Sequence, residues 1–327
     1  MNTDKDSLML NTMYWWGIPT LFRCKYESNP KNCDIGLVGV PHSSGNGTTE
    51  RDQHLGPRAV RHVSAGLRRV HLDFNINPWE KNIIYDLGDV PLPEANNNER
   101  CIERMVEFFS KIASNNTRVV SIGGDHSITG GIIEGLTKKK SALTKNQKVN
   151  LVHFDAHTDT YENLDHFMGA KKSAAHWASY LVKQGNVDAN HSTQIGIRGN
   201  PRTLDWLKPS YDLGYQVITM DEFRKDGLKN CKEKILSRLD DKPIYITFDL
   251  DCLDPTVAPA VANLEPAFKG FSIDEARTLL QSLRGRNIIG GDVVCLLPTK
   301  DNPNNITSMT AAAIMFELIC LISINLN

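Results

Sequence analysis

The sequence has almost no net charge, no CxxC pair, no internal repeat and no apolar run long enough to span a bilayer. Each absence removes a class of function. A formal charge of −1 over 327 residues gives no basic surface for nucleic acid or an anionic membrane. The seven cysteines, Cys24, Cys33, Cys101, Cys231, Cys252, Cys295 and Cys320, are odd in number and scattered. That points away from a disulfide scaffold or zinc ribbon and toward free thiols in a reducing compartment. The opening Met1-Asn2-Thr3-Asp4-Lys5-Asp6 has no basic stretch leading into an apolar one, so no secretory signal is expected. The most apolar segment, Ala311 to Ile324, contains Glu317. It is shorter than a bilayer span and is expected to be a buried C-terminal helix. A cytoplasmic protein is the expectation.

What the chain does contain is alternation. Apolar runs at Ile35–Val40, Ile83–Asp86, Val119–Ile122, Val149–Phe154, Gln194–Ile197, Gln216–Thr219, Ile244–Phe248 and Ile288–Val294 are continuous rather than period-two, as in parallel strands buried on both faces. Amphipathic segments separate several of them. Ile102–Ala113 carries Ile102, Met105, Val106, Phe109 and Ile112 at helical spacing, and Ser272–Leu283 opens with Ser272 and Glu275 as a capping box. The pattern predicts one doubly wound α/β domain over residues 31–327. Residues 1–30 are expected to form an arm in subunit contacts, because Tyr14-Trp15-Trp16 precedes any element that would cover it.

Ligands of open α/β sheets bind beyond the carboxyl ends of the strands, and three strand ends are rich in polar groups. The first is Gly123-Gly124-Asp125-His126-Ser127. The second is Asp155-Ala156-His157-Thr158-Asp159, where extended-chain alternation puts Asp155, His157 and Asp159 on one face. The third is Asp249-Leu250-Asp251-Cys252-Leu253-Asp254-Pro255, where Asp249 and Asp251 share a face. A lone strand-end Asp is usually a cap and a lone His usually structural. Two histidines and four aspartates converging from three strands are another matter, because the carboxylates repel unless a cation compensates. Two divalent cations would balance the four charges. Imidazole with carboxylate suits Mn, Co, Ni, Fe(II) or Zn, and no thiolate is expected to reach the site and select a soft metal.

These segments resemble the three signatures of the ureohydrolase (arginase/agmatinase) family: GGDHS, DAHxD, and DxDxxDP followed by Ala258-Pro259. The resemblance runs over nearly the whole chain, through Gly39-Val40-Pro41, Gly56-Pro57-Arg58-Ala59-Val60-Arg61, Asp86-Leu87-Gly88-Asp89 and Gln194-Ile195-Gly196-Ile197-Arg198-Gly199. It implies a three-layer α-β-α sandwich on a mainly parallel sheet of about eight strands. It also implies a hydrolase of C–N bonds in linear amidines. One metal would be held by His126, Asp155, Asp159 and Asp249, the other by Asp155, His157, Asp249 and Asp251. A water between them would attack the guanidinium carbon. His176, in Lys172-Ser173-Ala174-Ala175-His176-Trp177, matches the family's proton-shuttling histidine. With Asp159 it makes the expected catalytic pair. Asp125 and Asp254 are expected to be structural.

The departures from the family concern the substrate. Thr160-Tyr161-Glu162-Asn163-Leu164 replaces the small polar residues that hold arginine's α-amino acid group in arginases. Trp177 replaces the usual Gly after the shuttle His and could shrink the pocket, stack on a flat cation or pack in the core. The Asp-Val-Val-Glu element reads Asp292-Val293-Val294-Cys295, so its guanidinium-binding Glu is absent, and a TGTPEPGG-like loop reads Val261–Phe268. Trp177, Cys295 and Asp292 are taken as substrate contacts. Tyr14–Thr20, Gly45–His54 and Lys300–Asn304 resemble the agmatinase-like branch containing guanidine and metformin hydrolases. That resemblance implies Ni2+ or Mn2+ and a small guanidine-type substrate: guanidine, an alkylguanidine or a biguanide. It also implies a trimer or hexamer, homomeric or mixed with a related subunit. Agmatinase, or a supporting subunit of a mixed oligomer, is the alternative.

Overall fold

A computed structural model describes residues 15, 17–46, 51–161, 170–265 and 269–326. Nine strands are found among the described residues: β1 Lys25–Tyr26, β2 Ile35–Val40, β3 Ile84–Asp89, β4 Arg118–Gly123, β5 Asn150–Phe154, β6 Thr193–Ile197, β7 Gln216–Thr219, β8 Ile244–Asp249 and β9 Ile288–Val294. They form one sheet in the order β1-β3-β2-β4-β9-β8-β5-β6-β7. Every pairing between these strands is parallel. The eight expected runs all become strands, and the added member, two-residue β1, is too short to show a periodicity. Its presence means that the expected boundary at residue 30 lies too late. Leu21 and Phe22 are buried in the core beside β2, and the Leu21 amide donates to Asp86 at 2.8 Å.

The sheet is apolar on both faces because helices cover both. Val120, Ile122, Val152, Ile246 and Phe248 join one apolar cluster with Val60, Leu279 and Leu318. Val38, Val119, Leu151 and Tyr245 point the other way and pack with Met105, Ile132 and Trp177. This is the three-layer sandwich expected from the resemblance. On the second face, helix Asn98–Ser114 lies against helix Ser127–Leu136. The second helix is rich in β-branched residues and glycine, a poor intrinsic former. Its glycines allow the close approach: a Cβ on Gly131 would sit 2.9 Å from the Met105 Cβ, and one on Gly135 2.8 Å from the Phe109 Cβ. Packing thus overrides propensity, and it seats the helix that carries His126 at its start.

The C-terminal helix runs Ile306–Ile324, longer than the apolar stretch suggests. Among the described residues it alone is long and apolar enough to cross a membrane, but 72% of its apolar window is buried inside the protein. It packs against β9, β4 and helix Gly56–Ser64. Glu317, 3% exposed, is accommodated by partners rather than by water. It accepts hydrogen bonds from Arg277 Nε at 2.7 Å and Gln281 Nε2 at 3.1 Å, and His71 Nε2 lies 3.0 Å away. Removing one member of a buried ionic cluster leaves the others desolvated and unpaired. Glu317→Ala is therefore expected to destabilise the protein by about 3 kcal/mol, read as a lower urea midpoint, with Glu317→Gln losing less.

Candidate metal centre

The parallel register brings the strand ends level. Ile122 pairs with Val293, Phe248 with Val293, and Phe154 with Phe248. One row further on lie Gly123, Val294, Asp249 and Asp155, at the carboxyl edge of the central strands. The chain passes from β4 to β5 across two strands, β9 and β8, that come from far later in the sequence. The crevice over this crossing is where a doubly wound sheet opens to a ligand.

Each turn beyond the row is built to aim a side chain. Gly124 passes so close that a Cβ would meet the His42 carbonyl oxygen at 2.0 Å. Asp125 faces away from the crevice and accepts from the Gly45 and Ser127 amides at 2.9 and 3.0 Å, the structural role expected of it. Asp254 likewise caps a turn, accepting from the Thr256 amide. Asp155 and Asp249 cap their own turns, accepting from the His157 amide at 2.6 Å and the Asp251 amide at 2.9 Å. The chain is therefore not extended past Phe154 or Asp249. The expected convergence of Asp155, His157, Asp159, Asp249 and Asp251 is present, but turns rather than strand alternation produce it. Asp159 adopts a left-handed φ of +50°, a conformation an aspartate holds only when its surroundings require it.

Two donor groups result. His126 Nδ1 lies 2.9 Å from Asp155 Oδ2, 3.1 Å from Asp159 Oδ2 and 3.1 Å from Asp249 Oδ2. Ligands about 2.1 Å from one ion at right angles are about 3.0 Å apart, so these spacings suit a divalent cation. The other nitrogen, Nε2, donates to Thr247 Oγ1 at 2.9 Å, because the Thr247 hydroxyl itself donates to Asp292 at 2.6 Å. In the neutral ring that fixes the tautomer and turns the Nδ1 lone pair toward the three carboxylates. In the second group His157 Nδ1 is 3.2 Å from both Asp155 Oδ1 and Asp251 Oδ2, while its Nε2 reaches Glu265 Oε1 at 2.7 Å. Asp155 gives one oxygen to each group, the geometry of a bridging ligand. All four aspartates are more than nine-tenths buried.

The charges at this edge are unbalanced. Burial would lower His126 and His157, but the surrounding carboxylates outweigh it and hold both well above the ordinary histidine range. Asp155 lies well below the usual carboxylate range, burial being overcome by His126, His153 and His157. Asp251 is pushed well above it by burial and by its neighbours Asp249 and Asp155. The donor set thus titrates as a cluster that a cation would relieve.

Beneath the donors runs a second row. Ser121, Asp292, Thr247, His153 and Gln194 are in register on adjacent strands and fully buried. His153 Nε2 donates to Asp155 Oδ2 at 2.8 Å, and Gln194 Nε2 donates to His153 Nδ1 at 3.0 Å. Asp292 accepts from Thr129, Tyr245 and Thr247, and burial raises its carboxyl above the usual range. Two expected substrate contacts are corrected here. Asp292 and Trp177 are both 0% exposed and have no surface for a substrate. Trp177 lies under the centre, its ring 4.8 Å from His126 and from His153, and its Nε1 donates to Asp159 Oδ2 at 2.7 Å. The indole fills space and orients a donor oxygen where stacking on a substrate cation was one expectation. The sequence reading passed over His153, Thr247, Gln194 and Glu265. The first two were findable, since each stands two residues before a strand-end aspartate and so shares its face. Glu265 comes from a loop with no periodicity to read.

A cavity of about 670 Å³ lies above the donors, with Tyr161, Ala175, Arg202, Trp206, Glu265 and Cys295 among its walls. Cys295 has a left-handed φ of +67°, and its side chain lies beside the Asp249 carboxylate. Its Sγ, a His126 nitrogen and an Asp249 oxygen all lie within 4.8 Å of one another, which overturns the expectation that no thiol reaches the donors. His176 is half-buried at the start of helix Trp177–Lys183, its Nδ1 2.8 Å from Ser173 Oγ. The preceding Ala174 and Ala175 line the cavity. Several positions that bear on the substrate or the arm lie outside the described residues: Glu162, Asn163 and Leu164, Pro266 to Phe268, Gly47 to Glu50, and Tyr14 and Trp16.

Residues 33–320 match the model of the arginase family. The chain is 32% identical over 309 residues to a guanidinopropionase of Pseudomonas aeruginosa, covering 94% of this chain and 92% of that one. It is 31% identical over 321 residues to an agmatinase of Neisseria meningitidis, covering 97% and 94%. Among solved structures, a proclavaminate amidino hydrolase from Streptomyces clavuligerus superimposes with a TM-score of 0.86 at 26% identity, covering 95% of this chain and 99% of that one. A match of this extent places the chain in the arginase (ureohydrolase) family, on its agmatinase-like side, as a hydrolase of C–N bonds in linear amidines.

Proposed function

We propose that the protein is a binuclear-metal amidinohydrolase whose substrate is a compact guanidine-type cation: guanidine, an alkylguanidine or a biguanide such as metformin. The products are urea or a urea derivative and ammonia or an amine. The observation that carries the reading is the pair of donor groups sharing Asp155. On this reading His126, Asp155, Asp159 and Asp249 would hold one Ni2+ or Mn2+ ion, and Asp155, His157, Asp249 and Asp251 would hold the other. Two such ions supply a water acidic enough to be a nucleophile near neutral pH and offset the carboxylate charge. Asp159, steadied by the Trp177 N–H, orients that water toward the planar substrate carbon. His176, at the cavity's edge, carries a proton to the departing nitrogen. Thr247 and Glu265 hold the outer nitrogens of His126 and His157, and such partners commonly govern metal affinity.

Cys295 supports the compact substrate. With a thiol on that wall instead of the guanidinium-binding carboxylate, the acidic donors themselves are left to serve the flat cation. The cavity volume favours a second reading, since about 670 Å³ exceeds what guanidine fills. The agmatinase and guanidinopropionase relatives act, by name, on longer guanidino compounds. The residues before β1 are proposed to contact a neighbouring subunit in a trimer or hexamer, homomeric or mixed. The 70% exposure of Trp15 and 90% of Ile18 support this. Seven free, buried cysteines support a reducing, cytoplasmic setting.

Asp249→Asn removes a shared negative charge, so metal content and turnover should fall together. Two tightly held metals by elemental analysis, with near-native turnover, would remove the site assignment. In steady-state kinetics on guanidine, methylguanidine, metformin, 3-guanidinopropanoate and agmatine, the highest kcat/KM should fall on one of the first three. Agmatine or 3-guanidinopropanoate ranking first would establish the second reading. Sedimentation at micromolar concentration should show a trimer or larger, and a monomer would refute the proposed contact.

A further inference from the structure

We propose that Cys295 is a metal ligand, its thiolate completing the coordination of the ion that His126 holds, so that this centre selects thiophilic divalent ions. The inference rests on the binuclear reading above and extends it to a donor outside the six His and Asp residues.

Three features converge on it. The thiol belongs to a buried group in which Cys295 Sγ, a His126 nitrogen and an Asp249 oxygen lie within 4.8 Å of one another. His126 Nδ1, fully buried, makes no well-formed hydrogen bond, yet it faces the Asp155, Asp159 and Asp249 oxygens at 2.9, 3.1 and 3.1 Å. The Cys295 backbone is pinned on both sides, its amide donating to the Gly124 carbonyl at 2.9 Å and its carbonyl accepting from the Ala262 amide at 3.3 Å. The side chain is therefore presented over the donors instead of turning into the core. A metal–sulfur bond of about 2.3 Å and a metal–nitrogen bond of about 2.1 Å together span up to about 4.4 Å, so the group need contract little on binding. The sulfur–metal bond forms as the thiol proton leaves to solvent, and nothing is oxidised or reduced. Sulfur is a soft donor, and adding one to imidazole and carboxylate moves preference from Mn2+ toward Ni2+, Co2+ or Zn2+.

The test uses the full-length chain, stripped of metal and reloaded anaerobically with Co2+ or with Ni2+. Absorption between 300 and 400 nm is followed, where sulfur-to-metal charge transfer appears, together with metal content. Native protein should show the band. Cys295→Ser should lose it while still binding metal, and Cys252→Ser, which alters a buried thiol one residue from Asp251, should keep it. In competition with Mn2+, the native preference for Ni2+ should fall by about tenfold or more in Cys295→Ser. Two bound metals without a charge-transfer band in the native chain, or a band that survives Cys295→Ser, overturns the proposal and leaves the binuclear reading standing. Failure of the native chain to retain any metal overturns both.

Discussion

Four carboxylates crowded at the ends of two neighbouring strands, β5 and β8, are the constraint on which the rest of the structure depends. Two like charges about 4 Å apart repel by about 4 kcal/mol at the effective dielectric of a protein surface, and Asp155, Asp159, Asp249 and Asp251 are all buried. Part of the relief is local. Turn amides donate to Asp155 and Asp249, the Ala156 amide donates to Asp251, and the Trp177 indole donates to Asp159. The rest comes from His126 and His157, and from the cations that the donor geometry suits. The raised Asp251 and the raised histidines express one fact: protons stand in for positive charge at this edge.

Holding such a cluster in one geometry requires support from below. The row formed by Ser121, Asp292, Thr247, His153 and Gln194 is a polar layer inside an otherwise apolar sheet, held by the Thr247–Asp292 and Gln194–His153 hydrogen bonds, while Ser121 Oγ and Gln194 Oε1 stay buried without a hydrogen-bond partner. It controls the donors through hydrogen bonds. Asp292 sets the Thr247 hydroxyl, Thr247 sets the tautomer of His126, and Gln194 sets that of His153. A substitution in this row acts on the centre without touching a substrate. The left-handed backbone at Asp159 and Cys295 belongs to the same scheme. One of these left-handed residues is a donor and the other stands beside the donors, both held in place by the surrounding packing.

The scaffold explains why the arrangement can be rigid. Helix Ser127–Leu136 begins at His126 and is clamped by its glycines against helix Asn98–Ser114, so the first donor sits on a packed element and not on a free loop. The opposite face is closed by the C-terminal helix, whose Glu317 is held by Arg277, Gln281 and His71. Layers locked on both sides leave the carboxyl edge as the place where the fold opens.

Much was legible in the sequence because it was local. Continuous apolar runs located eight of the nine strands among the described residues, the Ser272–Glu275 box located a helix start, and the strand-end motifs named the two His and four Asp side chains that come together. What the tertiary structure decided is what stands beside and beneath those donors. Trp177 and Asp292, read from the chain as facing a substrate, lie under the centre. Cys295, read from the chain as a substrate contact in place of a glutamate, lies beside His126 and Asp249. Glu265 arrives from a loop to hold His157. The physical reason is the crossover from β4 to β5. Strands β8 and β9, far later in the chain than β4 and β5, insert between them and bring Thr247, Asp292 and Cys295 against His126. Motif spacing encodes which residues share a turn, and only the strand order decides which turns meet.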